Sequence, residues 1–296
     1  MLNFDNAFSQ VGNSAHPHAC IIFDDLQSYR TIASTYILEG LKKNEKCVMA
    51  VDEYTSAMIA EDFLAAGEDV DGYLEKGRLV IVNVKESYAG NGGFDPDQTV
   101  KIWQKSCRNT VKQGYDALRV VGEATFSLGG PDLAGKLIYY ENIINQVLFP
   151  EFPFKSLCVY NKNLYPPEII KAAISAHPIL FHNQELFLEN IYYVPPHIHF
   201  EKHRVRDEIE IWLANIKRND QNIHARKMEF IRTLSQRIAH DFNNLLLPIT
   251  GMAELLLEEL PEDSELYENA HEILSAGRKG SVLVNEIMSL GSRTGH

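Results

Sequence analysis

The stretch Leu118-Arg119-Val120-Val121-Gly122-Glu123-Ala124-Thr125 decides the fold. A short apolar run that closes on a single acid predicts a buried strand over Ala117 to Glu123. Outward from it, similar runs predict strands at His18 to Phe23, Lys46 to Asp52, Arg78 to Val84 and Phe154 to Tyr160, with a weaker one at Ile179 to His182. Helical patterns at Ser28 to Leu41, Thr55 to Ala66, Asp97 to Gln113 and Asp132 to Leu148 separate the stronger strands. This alternation predicts an α/β fold, a mainly parallel sheet covered by helices on both faces. The first 200 or so residues suffice for one such domain with a substantial core.

Ligands of such sheets sit beyond the carboxyl ends of the strands. Those ends offer Asp24 and Asp25, Asp52 and Glu53, Glu123 with Thr125, and Asn161, with glycines at Gly90, Gly92, Gly93, Gly129 and Gly130 in adjoining loops. Each residue alone is equally explained as a helix cap or turn; Glu123 stands out because it ends the apolar run directly. The loop Phe23-Asp24-Asp25-Leu26-Gln27-Ser28-Tyr29-Arg30 is acidic and lacks the glycines and lysine of a phosphate loop, and Gly129-Gly130-Pro131 is too short to replace it. ATP hydrolysis by this domain is not expected.

From His18 to Pro196 the chain resembles the MEDS family of small-molecule sensing domains. The resemblance rests on Tyr36-Ile37-Leu38-Glu39-Gly40-Leu41, Leu118 to Thr125, Tyr140-Glu141-Asn142, Leu157-Cys158-Val159-Tyr160 and His177-Pro178. It implies a RecA-like sheet without a phosphate loop and a sensory role whose ligand is unknown.

Beyond residue 200 the pattern becomes helical. Ile209, Trp212, Ile216, Asn219, Ile223, Arg226, Phe230 and Thr233 alternate at spacings of three and four, as in the seam of a parallel coiled coil, with Asn219 and Arg226 as its polar members. A second stripe, Ile231, Leu234, Ile238, Leu245, Ile249, Met252 and Leu256, continues the helix, and Pro248 predicts a bend in it. Pro261-Glu262-Asp263-Ser264 ends it, Asp263 or Ser264 capping a further helix striped by Leu266, Ala270, Ile273, Leu274, Gly277, Val284, Ile287 and Met288. Two such helices have too little core alone, so the hairpin is expected to dimerise as a four-helix bundle. The expected divisions are residues 1–200, a sensory domain; 201–229, a signalling helix; and 230–296, the hairpin.

His240-Asp241-Phe242-Asn243-Asn244 lies on this hairpin, with His240 turned away from the apolar stripe. Residues 225 to 291 resemble the phosphoacceptor region of sensor histidine kinases. The resemblance implies that His240 carries phosphate, Asp241 acts as base and Asn244 helps remove phosphate from the partner. It also implies a response regulator receiver domain as partner. The tail after Ser289 is too short for an ATP-binding domain, so self-phosphorylation is not expected, and ATP is to act through an absent or separate catalytic domain.

Cys20, Cys47, Cys107 and Cys158 are widely spaced, three of them in predicted strands, and form neither a zinc motif nor a secreted disulfide framework. Parallel strands would bring Cys20, Cys47 and Cys158 near one another, with His16 and His18 at the first strand, but spacing alone assigns no metal and no resident cofactor. His197, His199 and His203 read as solvated side chains at the domain exit, where Tyr192 and Tyr193 pack. With 28 basic and 40 acidic residues, a net charge of -12 and no basic tract, the chain is not expected to bind nucleic acid. No signal peptide or bilayer-length apolar segment is read, which places the protein in the cytoplasm without membrane contact. The expected function is the sensory and phosphoacceptor portion of a histidine kinase. The alternatives are a ligand-binding regulatory protein using its helices only for dimerisation and protein interaction, or an enzyme built on Glu123.

Overall fold

A computed structural model of the chain describes residues 4–10, 16–89, 93–188, 190–201, 204–262 and 264–293. The chain forms two compact units that divide between Asn215 and Ile216. Gly90, Gly92, Asp263 and His203 lie outside the described residues.

The first unit is built on a seven-stranded sheet. In chain order its elements are α1 (Phe4–Gln10), β1 (His18–Phe23), α2 (Leu26–Lys42), β2 (Lys46–Val51), α3 (Ser56–Ala65), α4 (Val70–Glu75), β3 (Leu79–Asn83), α5 (Val84–Ala89), α6 (Pro96–Lys112), β4 (Leu118–Glu123), α7 (Pro131–Val147), β5 (Phe154–Asn161), α8 (Pro167–Ala176), β6 (Ile179–His182) and β7 (Glu185–Phe187). The strand order is β3-β2-β4-β5-β1-β6-β7, parallel throughout except for β7, which pairs antiparallel with β6. The sheet is therefore mostly parallel and mixed.

Six expected strands are present; β7 and the helices α1, α4, α5 and α8 are not among the expected elements. All six residues of β1 are buried, as a strand covered on both faces requires. Helix starts follow from local chemistry. Asp25 accepts from the Ser28 amide at 2.8 Å, and Asp95 from the Gln98 amide at 2.9 Å with Pro96 next to it.

Alternation along the strands assigns the two faces. Ala19, Ile21, Phe23, Cys47, Met49, Val51, Val121, Leu157 and Val159 pack with α2 and α3. Cys20, Ile22, Cys158 and Tyr160 pack with Leu137 of α7 and Ile169 and Ala173 of α8, while Leu118, Val120 and Phe154 meet Val100 and Cys107 of α6 and Ile144 of α7.

On the α2 face lies a buried charge. Arg119 is fully buried, donating from Nε to Glu45, to the Tyr36 carbonyl at 3.1 Å and to Asp5 Oδ1 at 2.8 Å, with its guanidinium over the Tyr36 ring. Lys155 Nζ joins at 2.8 Å from Asp5 and 2.6 Å from Glu45. The guanidinium needs room, and Gly40 of α2 supplies it: a Cβ there would lie 2.6 Å from Arg119 Cδ and Nε.

The second unit holds residues 216 onward of α9 (Arg204–Glu259), together with α10 (Glu265–Arg293). Ser264 Oγ accepts from the Tyr267 amide at 3.2 Å and caps α10. The helix continues through Pro248. Ala239, Ala253, Ala270, Leu274 and Val284 are buried in this unit, and the two helices approach closely where a Cβ at Gly277 would collide with Thr250. Arg278 pairs with Glu254 at 2.9 Å. The larger apolar stripe, including Ile231, Leu234, Ile238, Leu245 and Met252, stays at least 40% exposed.

Burial raises the Asp5 carboxyl, but Lys155, Lys43 and Arg119 outweigh it and hold it well below the usual carboxylate range. A depressed folded-state pKa contributes stability that is present above about pH 4 and is lost as pH falls further. Urea midpoints of the parent and Asp5→Asn are therefore expected to differ at pH 7 and to converge as the solution is acidified. A gap that stays constant with pH would remove Asp5 from the acid response.

Candidate functional site

Glu123, singled out by the sequence, ends β4 beside the loop that follows β2. Its Oε2 accepts from the Asp52 amide at 2.9 Å and the Glu53 amide at 2.7 Å; its Oε1 accepts from the Tyr54 amide at 3.1 Å and the Tyr29 hydroxyl at 2.8 Å. Burial raises its carboxyl above the ordinary value, and these four donors pull it back in part. Both oxygens are committed within the fold, so the residue fastens the β2 loop to the sheet. Asp52 pairs with Lys85 at 2.7 Å, Asn161 donates to Glu53 at 3.0 Å, and Asp25 is a helix cap.

A second polar centre lies on the opposite face of the sheet. His18 opens β1, Cys158 lies on β5, Glu141 projects from α7, and His177 follows α8; all four are buried. The register pairs His18 with Ser156 and Cys20 with Cys158, so His18 and Cys158 share one face. His18 Nε2 is 3.3 Å from both Cys158 Sγ and Glu141 Oε2. Cys158 Sγ is 3.6 Å from Glu141 Oε2, and His177 Nε2 is 3.5 Å from the same oxygen without a hydrogen bond.

The surroundings orient these groups. Asn145 spends its amide N–H groups on the Glu141 carbonyl at 3.1 Å and the Ala176 carbonyl at 2.8 Å, leaving Oδ1 to accept from His18 Nδ1 at 2.9 Å. His177 Nδ1 meets the Ala173 carbonyl at 2.7 Å, and the Tyr160 hydroxyl donates to Glu141 Oε1 at 2.7 Å. Burial pushes the Cys158 thiol up to about 11, and Glu141 adds to the shift. Burial, followed by His177, lowers His18 to about 4. For Glu141 burial acts upward, but His177 and His18 outweigh it and hold the carboxyl below its usual range.

The sequence brought Cys158 and His18 into consideration but not Glu141 or His177. A legible signal existed in α7, where Glu141 and Asn145 occupy positions in register with the apolar Leu137, Ile144 and Leu148. Cys47 faces α2 on the other side of the sheet, Cys107 lies in α6, and His16 stacks on Phe149. The solvated reading of His199 is corrected: its side chain is only 3% exposed, 3.7 Å from Glu208, whereas His197 is exposed.

A cleft of about 630 Å³ lies beside α8, lined by Tyr165, Ile170, Ile174, Tyr192 and Trp212, with Lys162 and Lys171 as its cations. Trp212, expected in a coiled-coil seam, instead donates from Nε1 to the Tyr192 carbonyl at 2.8 Å, packs edge-on against the Tyr192 ring and lies under Lys171. Asn215 donates to the Ile191 carbonyl at 2.9 Å. On the second unit, His240 Nδ1 lies 3.3 Å from both Asp241 Oδ1 and Asn244 Nδ2, and its side chain is 74% exposed.

The sequence profile of the MEthanogen/methylotroph, DcmR Sensory domain (MEDS) matches residues 17–178. Among curated proteins, the transcriptional repressor DcmR of Methylorubrum extorquens is 24% identical over 162 residues, which are 55% of this chain and 58% of that protein. The chain thus spans less than two thirds of the length of the curated relative it matches. Two solved structures are similar: a KaiC-like protein from Pyrococcus horikoshii (TM-score 0.42, 15% identity) and the flagellar accessory protein FlaH from Methanocaldococcus jannaschii (TM-score 0.38, 11% identity). Each match covers 63% of this chain and 82% of the other.

These findings correct the expectation of a sensor histidine kinase or phosphotransfer fragment. The matched family is sensory and its curated relative is a repressor, so the response regulator and ATP-binding-domain partners fall with that reading. The physical reason is local: residues four apart are neighbours on any solvated helix, so the contact of His240 with Asn244 does not require phosphotransfer. The expected exclusion of nucleic acid is corrected as well, because a net charge describes the whole chain and not the surface a partner meets.

Glu123→Ala leaves four donors without an acceptor and is expected to lower the unfolding free energy by about 3 kcal/mol or more. Glu123→Gln, which keeps one acceptor oxygen, is expected to lose less. Urea titration of both checks this, and unchanged midpoints would remove the fastening role.

Proposed function

We infer the function from one premise: this chain belongs to the MEDS family of sensory domains. It is read as a cytoplasmic, ligand-sensing regulatory protein whose helices serve dimerisation and protein interaction. The family match carries this reading, and the repressor name of its curated relative supports a regulatory output. No helix among the described residues is long and apolar enough to cross a membrane.

The cleft beside α8 supports the input half. Its size and apolar walls suit a small organic molecule, and Lys162 and Lys171 add charge for orientation. Trp212 belongs to α9, so an occupant of the cleft meets the helix that continues to Glu259. The exposed stripe of Ile231, Leu234, Ile238, Leu245 and Met252 supports the output half, because apolar surface on this scale favours a second copy. A nucleic-acid contact is the second reading. Between Lys217 and Arg237 the helix carries six basic residues, Lys217, Arg218, Arg226, Lys227, Arg232 and Arg237, against Asp220 and Glu229. Duplex DNA anisotropy that falls steeply with added salt would favour it over a protein partner.

Light scattering is expected to find a dimer at micromolar concentration, and Leu245→Glu to weaken it by roughly 30-fold, about 2 kcal/mol. His240→Ala should leave the dimer intact. A monomeric parent would overturn the dimerisation reading. The chain has two tryptophans. In a Trp103→Phe background, anilinonaphthalene sulfonate is therefore expected to perturb Trp212 emission saturably, and Ile170→Arg to abolish the response. Unperturbed emission would remove the cleft as the input site.

A further inference from the structure

The buried centre of His18, Glu141, Cys158 and His177 has a chemical imbalance. Asn145 fixes the His18 tautomer: both its N–H groups are spent on carbonyls, so its Oδ1 accepts and His18 Nδ1 carries the proton. His177 Nδ1 faces the Ala173 carbonyl and carries a proton for the same reason. In the neutral rings both Nε2 atoms are then lone pairs, and a metal would take the place of the proton that Glu141 and Cys158 favour on His177. Glu141 Oε1 is taken by the Tyr160 hydroxyl, which leaves Oε2 facing the two Nε2 atoms and the Cys158 sulfur. Four electron-rich atoms thus converge within 4.8 Å of one another, and His177 Nε2 has no hydrogen-bond partner. A cation is the natural occupant of such a space.

Four of the six ligand separations are close to those of a specific one. Around tetrahedral zinc, metal–nitrogen and metal–oxygen bonds of about 2.1 Å and a metal–sulfur bond of about 2.3 Å put nitrogen about 3.4 Å from oxygen and sulfur about 3.6 Å from either. Here the nitrogen–oxygen separations are 3.3 and 3.5 Å, sulfur–oxygen is 3.6 Å and sulfur to the His18 nitrogen is 3.3 Å, the other two separations lying within 4.8 Å. The ligand set mixes one soft sulfur, two imidazoles and one carboxylate oxygen, a combination suited to zinc over magnesium or calcium.

We propose that His18 Nε2, Glu141 Oε2, Cys158 Sγ and His177 Nε2 bind one zinc-like divalent cation as a closed, four-coordinate site. Cys158 binds as thiolate, its proton passing to solvent on loading. Asn145, Tyr160 and the Ala173 carbonyl hold the ligands in orientation, as outer partners do in metal centres. With four protein ligands and no open position, the cation ties β1, β5, α7 and the end of α8 together and is not a catalyst. The site stands independently of the regulatory reading, since its occupancy is measured on the protein alone.

The test uses the full chain purified without chelator, its metal counted by plasma mass spectrometry, then stripped and titrated with zinc(II) and cobalt(II). About one zinc per chain is expected, with a thermal midpoint that falls on stripping and is restored by zinc. Cobalt(II) should give a sulfur-to-metal charge-transfer band that Cys158→Ser loses, and Asn145→Ala should weaken zinc about 10- to 100-fold. Folded parent that takes up well under one equivalent, or whose cobalt form lacks the sulfur band, overturns the proposal and leaves a protonated His177 paired with Glu141. Because uptake and midpoint are read on the parent, a variant that fails to fold does not rescue the idea.

Discussion

Parallel pairing of β1 with β5 is the constraint on which the rest of the first unit depends. It sets Cys20 beside Cys158 and His18 beside Ser156, and alternation then sends His18, Cys20, Cys158 and Tyr160 to one face while Ile21 and Val159 go to the other. A slip of one residue would exchange the faces and scatter the polar centre. Because a parallel pair needs a crossover, that face must also be covered by helices, and α7 and α8 bring Glu141, Asn145 and His177 to it. The same geometry that buries the sheet therefore assembles the ligand set.

Two buried polar systems lie on opposite faces with opposite logic. Around Arg119 one buried cation is surrounded by Glu45, Asp5 and a carbonyl, and Lys155 adds a second positive charge to the acids. Around Cys158 two imidazoles, a thiol and a carboxylate converge with neither lysine nor arginine among them. Burying such groups is costly unless each is matched, so the first system is closed by the chain itself and the second invites a partner from outside.

Much of the sheet was legible in the sequence because strands buried on both faces read as uninterrupted apolar runs, as His18 to Phe23 does. Helix α8 was not, since Pro167 to Ala176 is a short apolar helix between two strands and its pattern does not separate it from them. The polar centre was legible only as fragments: Glu141 and His177 stood in recognisable motifs without a role, and residues 18, 141, 158 and 177 meet only once the topology is known. The His240 motif misled for the opposite reason. Its contacts are wholly local, so the sequence displays them completely whether or not they serve a reaction. Trp212 fitted a heptad seam by spacing, yet its indole N–H found the Tyr192 carbonyl, a partner no periodicity encodes.

Gly40 carries a consequence for how this chain can diverge. Gly40 lies in the last turn of α2, where alanine would ordinarily suit the helix better, but here any Cβ would meet the side chain of Arg119 at 2.6 Å. If Gly40 gains a side chain first, the guanidinium is driven from Glu45 and Asp5. If Arg119 is lost first, Glu45 stays buried beside an empty space with Lys155 as its remaining cation. Neither single step is neutral, so the pair forms an epistatic lock: inheritance holds the two positions together, and a lineage leaves this arrangement only by replacing both.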